Sequence, residues 1–370
     1  LTRGLSYLCQ NEAQLAGVIS HEIGHVTGRH SAKRYTTAVG ANLLGSLINT
    51  LIKNPILQNL TNTTSSLYLL SYSRKHEYEA DSLATRYMVR AGFEPYEMAN
   101  FLKQMEKYSK LQKKIIGDKK KVSELLLTHP NSSKRVVEVI NSVDDSSTYK
   151  PIIGREVFLK KIDGMLYGDK PEEGFFYKNT FIHKPLDFFF NFDESIFFIN
   201  NPKFLLGLGE NDTKIFFDVD NNINQGDLDY FSSWAKIPKK NILDYSKKTI
   251  GNFIISECII KKSDKTIGLA LIKDDKNLYR FSITSEKKYF KNYKKKFSDI
   301  VYSFGKVSTN SSIDKIEPPK IRVISNSPDE NFIKEVIKNS SFQKKFSEDI
   351  FMTINNVDEI KTNQKIKTIY

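Results

Sequence analysis

The stretch Asn11–His30, NEAQLAGVISHEIGHVTGRH, decides how this 370-residue chain is read. Asn11 is a good helix N-cap, and Gln14 three residues on completes a capping-box pattern. Leu15, Ala16, Val18, Ile19 and Val26 recur at helical spacing and supply an apolar face. The motif His21-Glu22-Ile23-Gly24-His25 therefore falls inside a helix, not a loop. There His21 and His25 stand at i and i+4, one turn apart on one face. That spacing brings two imidazoles to a single zinc ion. Glu22 is turned about 100° from His21, poorly placed to ligate but well placed to act as a general base.

A metal needs a third ligand, and a second helix offers one. Ser73–Arg90 has helical spacing and runs out at Gly92, a C-cap residue. Within it Glu77 and Asp81 are again i and i+4 and face one way. One of these carboxylates can bind zinc while the other accepts the N–H of a ligating histidine. Two histidines and one carboxylate leave a fourth position open, the pattern of a catalytic zinc site rather than a structural one. Other groups read as bland. Glu79 faces away from the Glu77–Asp81 side and is expected in solvent. His30 lies about 140° around the helix from His25 and is expected to be an exposed helix-end residue. His76 points about 100° from Glu77 and is expected to be structural, His183 has no ligand partner nearby, and Cys9 reads as a small core residue.

Together these stretches resemble the gluzincin metalloproteases of the CAAX prenyl endopeptidase family, closest to its soluble periplasmic BepA-like branch rather than its membrane-embedded HtpX branch. The resemblance is carried by Thr2–Leu5 (TRGL), Asn11–Val18, His21–His30, Ser73–Asp81 (SRKHEYEAD) and Thr128-His129-Pro130 with Arg135. It spans about 140 residues. It implies one zinc ion per chain held by His21, His25 and Glu77, with Asp81 behind them and Glu22 as general base. It also implies a role for His129, which the residues alone would not single out. The histidine of this His-Pro loop stabilises an oxyanion or instead caps the metal as a fourth ligand, and Arg135 accompanies it. The implied activity is cleavage of misfolded or stalled cell-envelope proteins. The implied alternative is a non-proteolytic assembly factor for outer-membrane proteins, working with the outer-membrane assembly machinery. The implied compartment is the periplasm. The chain begins at Leu1 without a signal-peptide pattern and is expected to be a fragment or processed chain, shorter at its start than the family's catalytic domain.

The expected fold is α+β and multidomain. Residues 1–141 read as a mainly helical zinc metallopeptidase domain and 142–150 as a polar linker. The segment 38–70, between the two ligand helices, is expected to be either a lid near the cleft or a buried hairpin. Residues 151–310 read as an α+β domain. Strands are expected at 251–260, 266–272 and 278–283, followed by a helix whose Phe290, Phe297, Ile300, Val301 and Phe304 share a face. Residues 319–370 read as a βααβ tail with strands at 320–324 and 365–369. This tail weakly resembles a LysM-like module and implies at most a weak peptidoglycan contact.

Composition narrows the function further. Hydrophobic residues make up 39% and charged residues 27%, which argues for a globular chain. No run approaches the roughly 18 apolar residues of a membrane span. The formal net charge is +13, but the excess is spread, +6 up to Asp145 and +7 beyond. A nucleic-acid binder would focus it with arginines and aromatics, so no nucleic-acid partner is expected. Cys9 and Cys258 are the only cysteines, too few for a disulfide framework or a thiolate metal site.

Overall fold

The computed structural model describes residues 2–36, 72–117, 129, 133–143, 150–201, 203–220, 225–325, 330–357 and 364–370. The segment 38–70, most of the expected linker and the turn at 327–329 lie outside these. Contacts divide the chain into two units. One gathers Leu1–Gly164, Val323–Asn326 and Asp349–Lys367; the other gathers Met165–Arg322, Ser327–Glu348 and Thr368–Tyr370.

The first unit is mainly helical: α1 (Arg3–Leu8), α2 (Glu12–Thr27), α3 (Arg74–Arg90), α4 (Tyr96–Ile116), α5 (Ser133–Asn141) and α6 (Arg155–Ile162). Asn11 caps α2 as expected, its Oδ1 accepting the Gln14 backbone N–H at 2.8 Å. The return half of the box is shifted by one residue, because Gln14 Oε1 accepts from the backbone of Gln10 instead. Both side-chain amides then donate to Glu97 on α4, which fixes the entry angle of α2. Ser73 caps α3, and Gly92 follows its end at φ +80°, a left-handed position that glycine adopts freely. A core of Ala13, Met88, Met98, Ala99, Leu102, Val136 and Val139 joins α2 to α5. The helices α2 and α3 approach closely at Gly24, where a Cβ would lie 2.9 Å from the Ala80 carbonyl oxygen. This approach, possible only without a side chain, brings the two ligand-bearing helices together.

The contact boundaries differ from those expected from composition. α6 stays with the first unit: Arg155 donates to the Gln10 carbonyl, and Phe93 forms a parallel bridge with Ile152. The C-terminal segment contributes too. Gln10 Nε2 donates to the Ile354 carbonyl, and Lys367 Nζ donates to the carbonyls of Tyr7 and Cys9 at 2.7 and 2.8 Å. These partners are 340 or more residues apart in the chain, so local texture could not reveal them.

The second unit is built on antiparallel sheets. β1 (Phe175–Tyr177), β2 (Thr180–His183) and β3 (Phe188–Asn191) form one of three strands. A seven-stranded sheet follows the order β4-β5-β6-β10-β9-β8-β7. Its strands are β4 (Phe197–Asn201), β5 (Phe204–Leu208), β6 (Lys214–Asp220), β7 (Leu243–Ile250), β8 (Phe253–Lys261), β9 (Lys265–Lys273) and β10 (Leu278–Glu286). The last three match the strands expected from sequence. Between β6 and β7 lies α7 (Asp227–Ala235), and after β10 comes the expected helix, α8 (Lys287–Tyr302), with a short α9 (Ser311–Asp314) behind it. Ile259, Ala270, Ile272 and Phe281 pack in one cluster with Phe290, Phe297 and Ile300 of α8 and with Phe304 just past its end. Cys258, Ile260, Leu269 and Leu271 pack in another with Tyr230 and Phe231 of α7. Neighbouring residues thus point to opposite covered faces, which is why these strands read as apolar runs rather than clean alternation. The chain ends with β11 (Ile321–Ser325), α10 (Glu330–Asn339), α11 (Ser347–Asn355) and β12 (Lys365–Ile369), β11 pairing with β12. No helix among the described residues is long and apolar enough to cross a membrane.

Candidate metal centre

The approach of α2 to α3 at Gly24 sets the geometry of a buried polar cluster. His21 and His25 turn their Nε2 atoms toward each other, 3.0 Å apart. Glu77 Oε1 lies 3.3 Å from His25 Nε2, and its Oε2 lies 3.6 Å from His21 Nε2. All three residues are buried. The far side of each ring is occupied. His21 Nδ1 faces Asp81 Oδ1 at 2.8 Å, and His25 Nδ1 meets His30 Nδ1 at 2.9 Å. With its proton on Nδ1, each neutral imidazole presents a bare lone pair at Nε2. Two lone pairs and a carboxylate then converge on one point and repel unless a cation sits among them. Two imidazole nitrogens and one carboxylate oxygen are a donor set that zinc accepts, so the residues fit the implied metal.

Asp81 and Arg135 brace this arrangement. Arg135 Nε and Nη2 donate to the two oxygens of Asp81, each at 2.7 Å. Its Nη1 reaches Glu77 Oε2 at 2.8 Å. Burial alone would raise the Asp81 carboxyl, but the bonds from Arg135 and His21 outweigh it and hold the group below its ordinary value. Glu77 follows the same pattern: burial raises it, and contacts from His129, His25 and Arg135 more than compensate, keeping it anionic. Burial lowers His25 despite its contact with Glu77, which favours the neutral ring that a metal requires.

His129 sits over the cluster. Its Nδ1 is 3.3 Å from both His21 Nε2 and Glu77 Oε1. His21, His25, Glu77 and His129 bring one ligand atom each within 4.8 Å of one another. The other edge of the ring, Nε2, is 3.5 Å from Glu22 Oε1, and the Glu22 side chain is 52% exposed. The fold therefore gathers all seven residues singled out from sequence: His21, Glu22, His25, Glu77, Asp81, His129 and Arg135.

Two expectations at the edge of the site are corrected. His30 is not an exposed helix-end residue; it is fully buried. α2 ends at Thr27, Arg29 takes a left-handed φ of 52°, and a new helical stretch starts at 30. The 140° offset assumed an unbroken helix, and this break swings His30 back beneath His25. Glu79 is partly exposed as expected, but it is not merely solvated: it stands 3.3 Å from His30 Nε2. His76 is structural, its ring stacked on His30 with centroids 4.5 Å apart. Tyr72 escaped the sequence reading altogether; it stacks on His25 at 4.0 Å, and no motif announces such a contact. His183 accepts the Leu186 N–H and takes no part in the cluster. Cys9 is buried, and that burial pushes its thiol up to about 12.

Comparison with known proteins agrees with this geometry. Residues 1–142 match the family model of Peptidase family M48. The beta-barrel assembly-enhancing protease of Yersinia pestis is 28% identical over 161 residues, 41% of this chain and 32% of that protein. The same-named protein of Escherichia coli strain K12 is 32% identical over 142 residues, 35% of this chain and 27% of that protein. The mitochondrial metalloendopeptidase OMA1 of Arabidopsis thaliana is 34% identical over 133 residues, 36% of this chain and 25% of that protein. The chain thus spans between a quarter and a third of the length of these relatives. The buried His–His–Glu cluster and the matched family model lie on the same residues: residues 1–142 form the metalloprotease part of the chain and are similar to Peptidase family M48.

Proposed function

We propose that the chain is a zinc-dependent endopeptidase acting on misfolded or stalled cell-envelope proteins in the periplasm. The single observation that carries the chemistry is the convergence of His21 Nε2, His25 Nε2 and the Glu77 carboxylate, each backed by a partner on its far side. Zinc bound there supplies a Lewis acid that polarises the scissile carbonyl and eases deprotonation of water. Glu22, next to the ligands and open to solvent, takes the proton of the attacking water and passes it to the leaving amine. His129 donates to the oxyanion that develops on the carbonyl. Asp81 and Arg135 hold the ligand side chains in register. Beside His21, Glu22 and His129 opens a cavity of about 40 Å³ lined by Leu5, Val18, Met98, Phe101, Leu102 and Met105. It supports a substrate that offers an apolar side chain next to the cleaved bond. The periplasmic setting and the envelope substrates rest on the likeness to beta-barrel assembly-enhancing proteases.

A second reading is favoured by the position of His129. With Nδ1 at 3.3 Å from His21 and Glu77, it stands where a fourth ligand would stand and where a substrate carbonyl would enter. In this reading His129 holds the site closed, and the chain acts as an assembly factor for outer-membrane proteins until that side chain is displaced. Casein cleavage by zinc-loaded wild type, Glu22→Gln and His129→Ala separates the two. The protease reading expects cleavage by wild type and none by Glu22→Gln, with zinc retained in both. Faster cleavage by His129→Ala marks that residue as a block; slower cleavage marks it as an oxyanion donor. Wild-type turnover in Glu22→Gln would remove the general-base role. The weaker expectation of glycan contact is checked by pull-down on purified sacculi with and without residues 320–370.

A further inference from the structure

The helix α3 carries acidic residues at three alternate positions, Glu77, Glu79 and Asp81. Glu77 faces the metal position and Asp81 faces the back of His21. The third lies on a different side, yet it meets the back of the other ligand ring through an intermediary. His25 Nδ1 and His30 Nδ1 are 2.9 Å apart in a fully buried contact. His30 Nε2 is then 3.3 Å from the Glu79 carboxylate.

We propose that His30 and Glu79 form the positioning chain of His25, doing for that ligand what Asp81 does for His21. A neutral imidazole has one proton, so the two ring contacts of His30 are linked. If His25 donates from Nδ1, His30 accepts at Nδ1 and must carry its own proton at Nε2. The carboxylate nearest that nitrogen is Glu79, at 3.3 Å. Both tautomers are then set from one end, and the Nε2 lone pair of His25 is left for the metal. The other end of the chain is at the surface, where the half-exposed Glu79 also lies 3.7 Å from Lys33.

The backbone is shaped to deliver His30. A Cβ on Gly28 would lie 2.5 Å from His30 Nε2, so a larger residue there would push the ring out. Arg29 at φ 52° makes the reversal that a continuous helix could not. Stacking on His76 at an interplanar angle of 14° fixes the plane of the His30 ring. The two ligand histidines are therefore held differently: His21 by a buried carboxylate clamped by Arg135, His25 by a second imidazole tied to a surface carboxylate.

The inference rests on the zinc reading of the site, and the experiment measures zinc directly rather than cleavage. Zinc dissociation constants are taken by chelator competition for wild type, His30→Asn, His30→Leu and Glu79→Ala, with thermal midpoints of the metal-free proteins alongside. Asparagine keeps an acceptor close to the Nδ1 position; leucine keeps bulk without it. His30→Leu is expected to weaken zinc roughly 10- to 100-fold, His30→Asn several-fold at most, and Glu79→Ala by an intermediate factor. The cobalt-substituted His30→Leu protein is expected to show a shifted visible absorption band, reporting a reoriented ligand. Equal zinc affinity in wild type and His30→Leu overturns the inference while leaving the metal site intact. Equal losses in the Asn and Leu variants, with matching losses of metal-free stability, overturn it in favour of plain packing. A wild-type chain that takes up no zinc overturns the metal reading itself.

Discussion

At the scale of single residues, the site depends on what stands behind each ligand. Asp81 is buried and shared between His21 and Arg135. Removing it takes from the buried Arg135 guanidinium two of its charged hydrogen bonds and leaves it the contact with Glu77, so the cost falls below the roughly 3–5 kcal/mol of a fully broken buried pair. Asp81→Ala is therefore expected to lower the thermal midpoint and to weaken zinc by roughly 10- to 100-fold. Calorimetry and chelator competition read the two effects separately; unchanged zinc affinity would mean that His21 is held by packing alone. Residue spacing made the ligands legible, because i and i+4 on a helix is a geometric statement in itself. It did not reveal His30. Angular reasoning around a helix holds only while the helix continues, and the Gly28–Arg29 reversal lies between His25 and His30.

At the scale of elements, the site exists because α2 and α3 touch. Gly24 faces the backbone of Ala80 there, with no room for a methyl group. Gly24→Ala is expected to push the helices apart at the centre of the ligand set. Overpacking of this kind costs about 1–3 kcal/mol, and Gly24 lies between the two histidines, directly before His25 and three residues after His21. The expected result is a lower unfolding midpoint in urea together with weaker zinc binding; a stable variant with wild-type zinc affinity would show that the helices slide without disturbing the donors. Caps and periodicity announced both helices, since Asn11 and Gly92 act locally; the cap at Ser73 emerged only in the structure. The short strands β1 to β5 were not announced. They are runs of three to five residues with aromatic clusters such as Phe188-Phe189-Phe190, too short to show a period. Pairing with neighbouring strands in tight hairpins, not a period of their own, defines them.

At the scale of the whole molecule, the C-terminal segment belongs to the metalloprotease unit through contacts that span almost the full chain. Lys367 is the sharpest case. It is buried, and its Nζ donates to the Tyr7 and Cys9 carbonyls, the two bonds a neutral amine can make. Burial, against a favourable influence of Cys9, lowers its pKa to about 7. The unfolded chain keeps the ordinary lysine value, so between about pH 7 and 10 the unfolded state holds the extra proton. Stability from this group is fully present above the unfolded value and is lost as pH falls through about 7. Over that range the wild type is expected to gain roughly 4 kcal/mol relative to Lys367→Met, at 1.36 kcal/mol for each pH unit. Urea unfolding of both proteins at pH 6.5, 8 and 9.5 measures the difference, and parallel curves would mean that Lys367 stays charged when folded. A chain ending at residue 318 would lose Lys367 and the Ile354 carbonyl that Gln10 reaches. Its metal unit is expected to melt at a lower temperature than the full chain, as followed by zinc release on heating; an unchanged melt would make the tail dispensable for that unit.

The amino-acid order alone suggested the chemistry: which residues could hold a metal, which could move a proton, and on which helices they stand. Those facts follow from residue type and helical spacing, both local. It also marked Arg135 and His129, through a family pattern rather than through physics. The depth of the site came from the folded chain. The reversal at Gly28–Arg29 buries His30 against His25, the Gly24–Ala80 contact fixes the ligand separation, and the C-terminal segment closes on α1. Each of these needs groups to meet that are distant along the chain or separated by a broken helix, and no periodicity encodes such meetings.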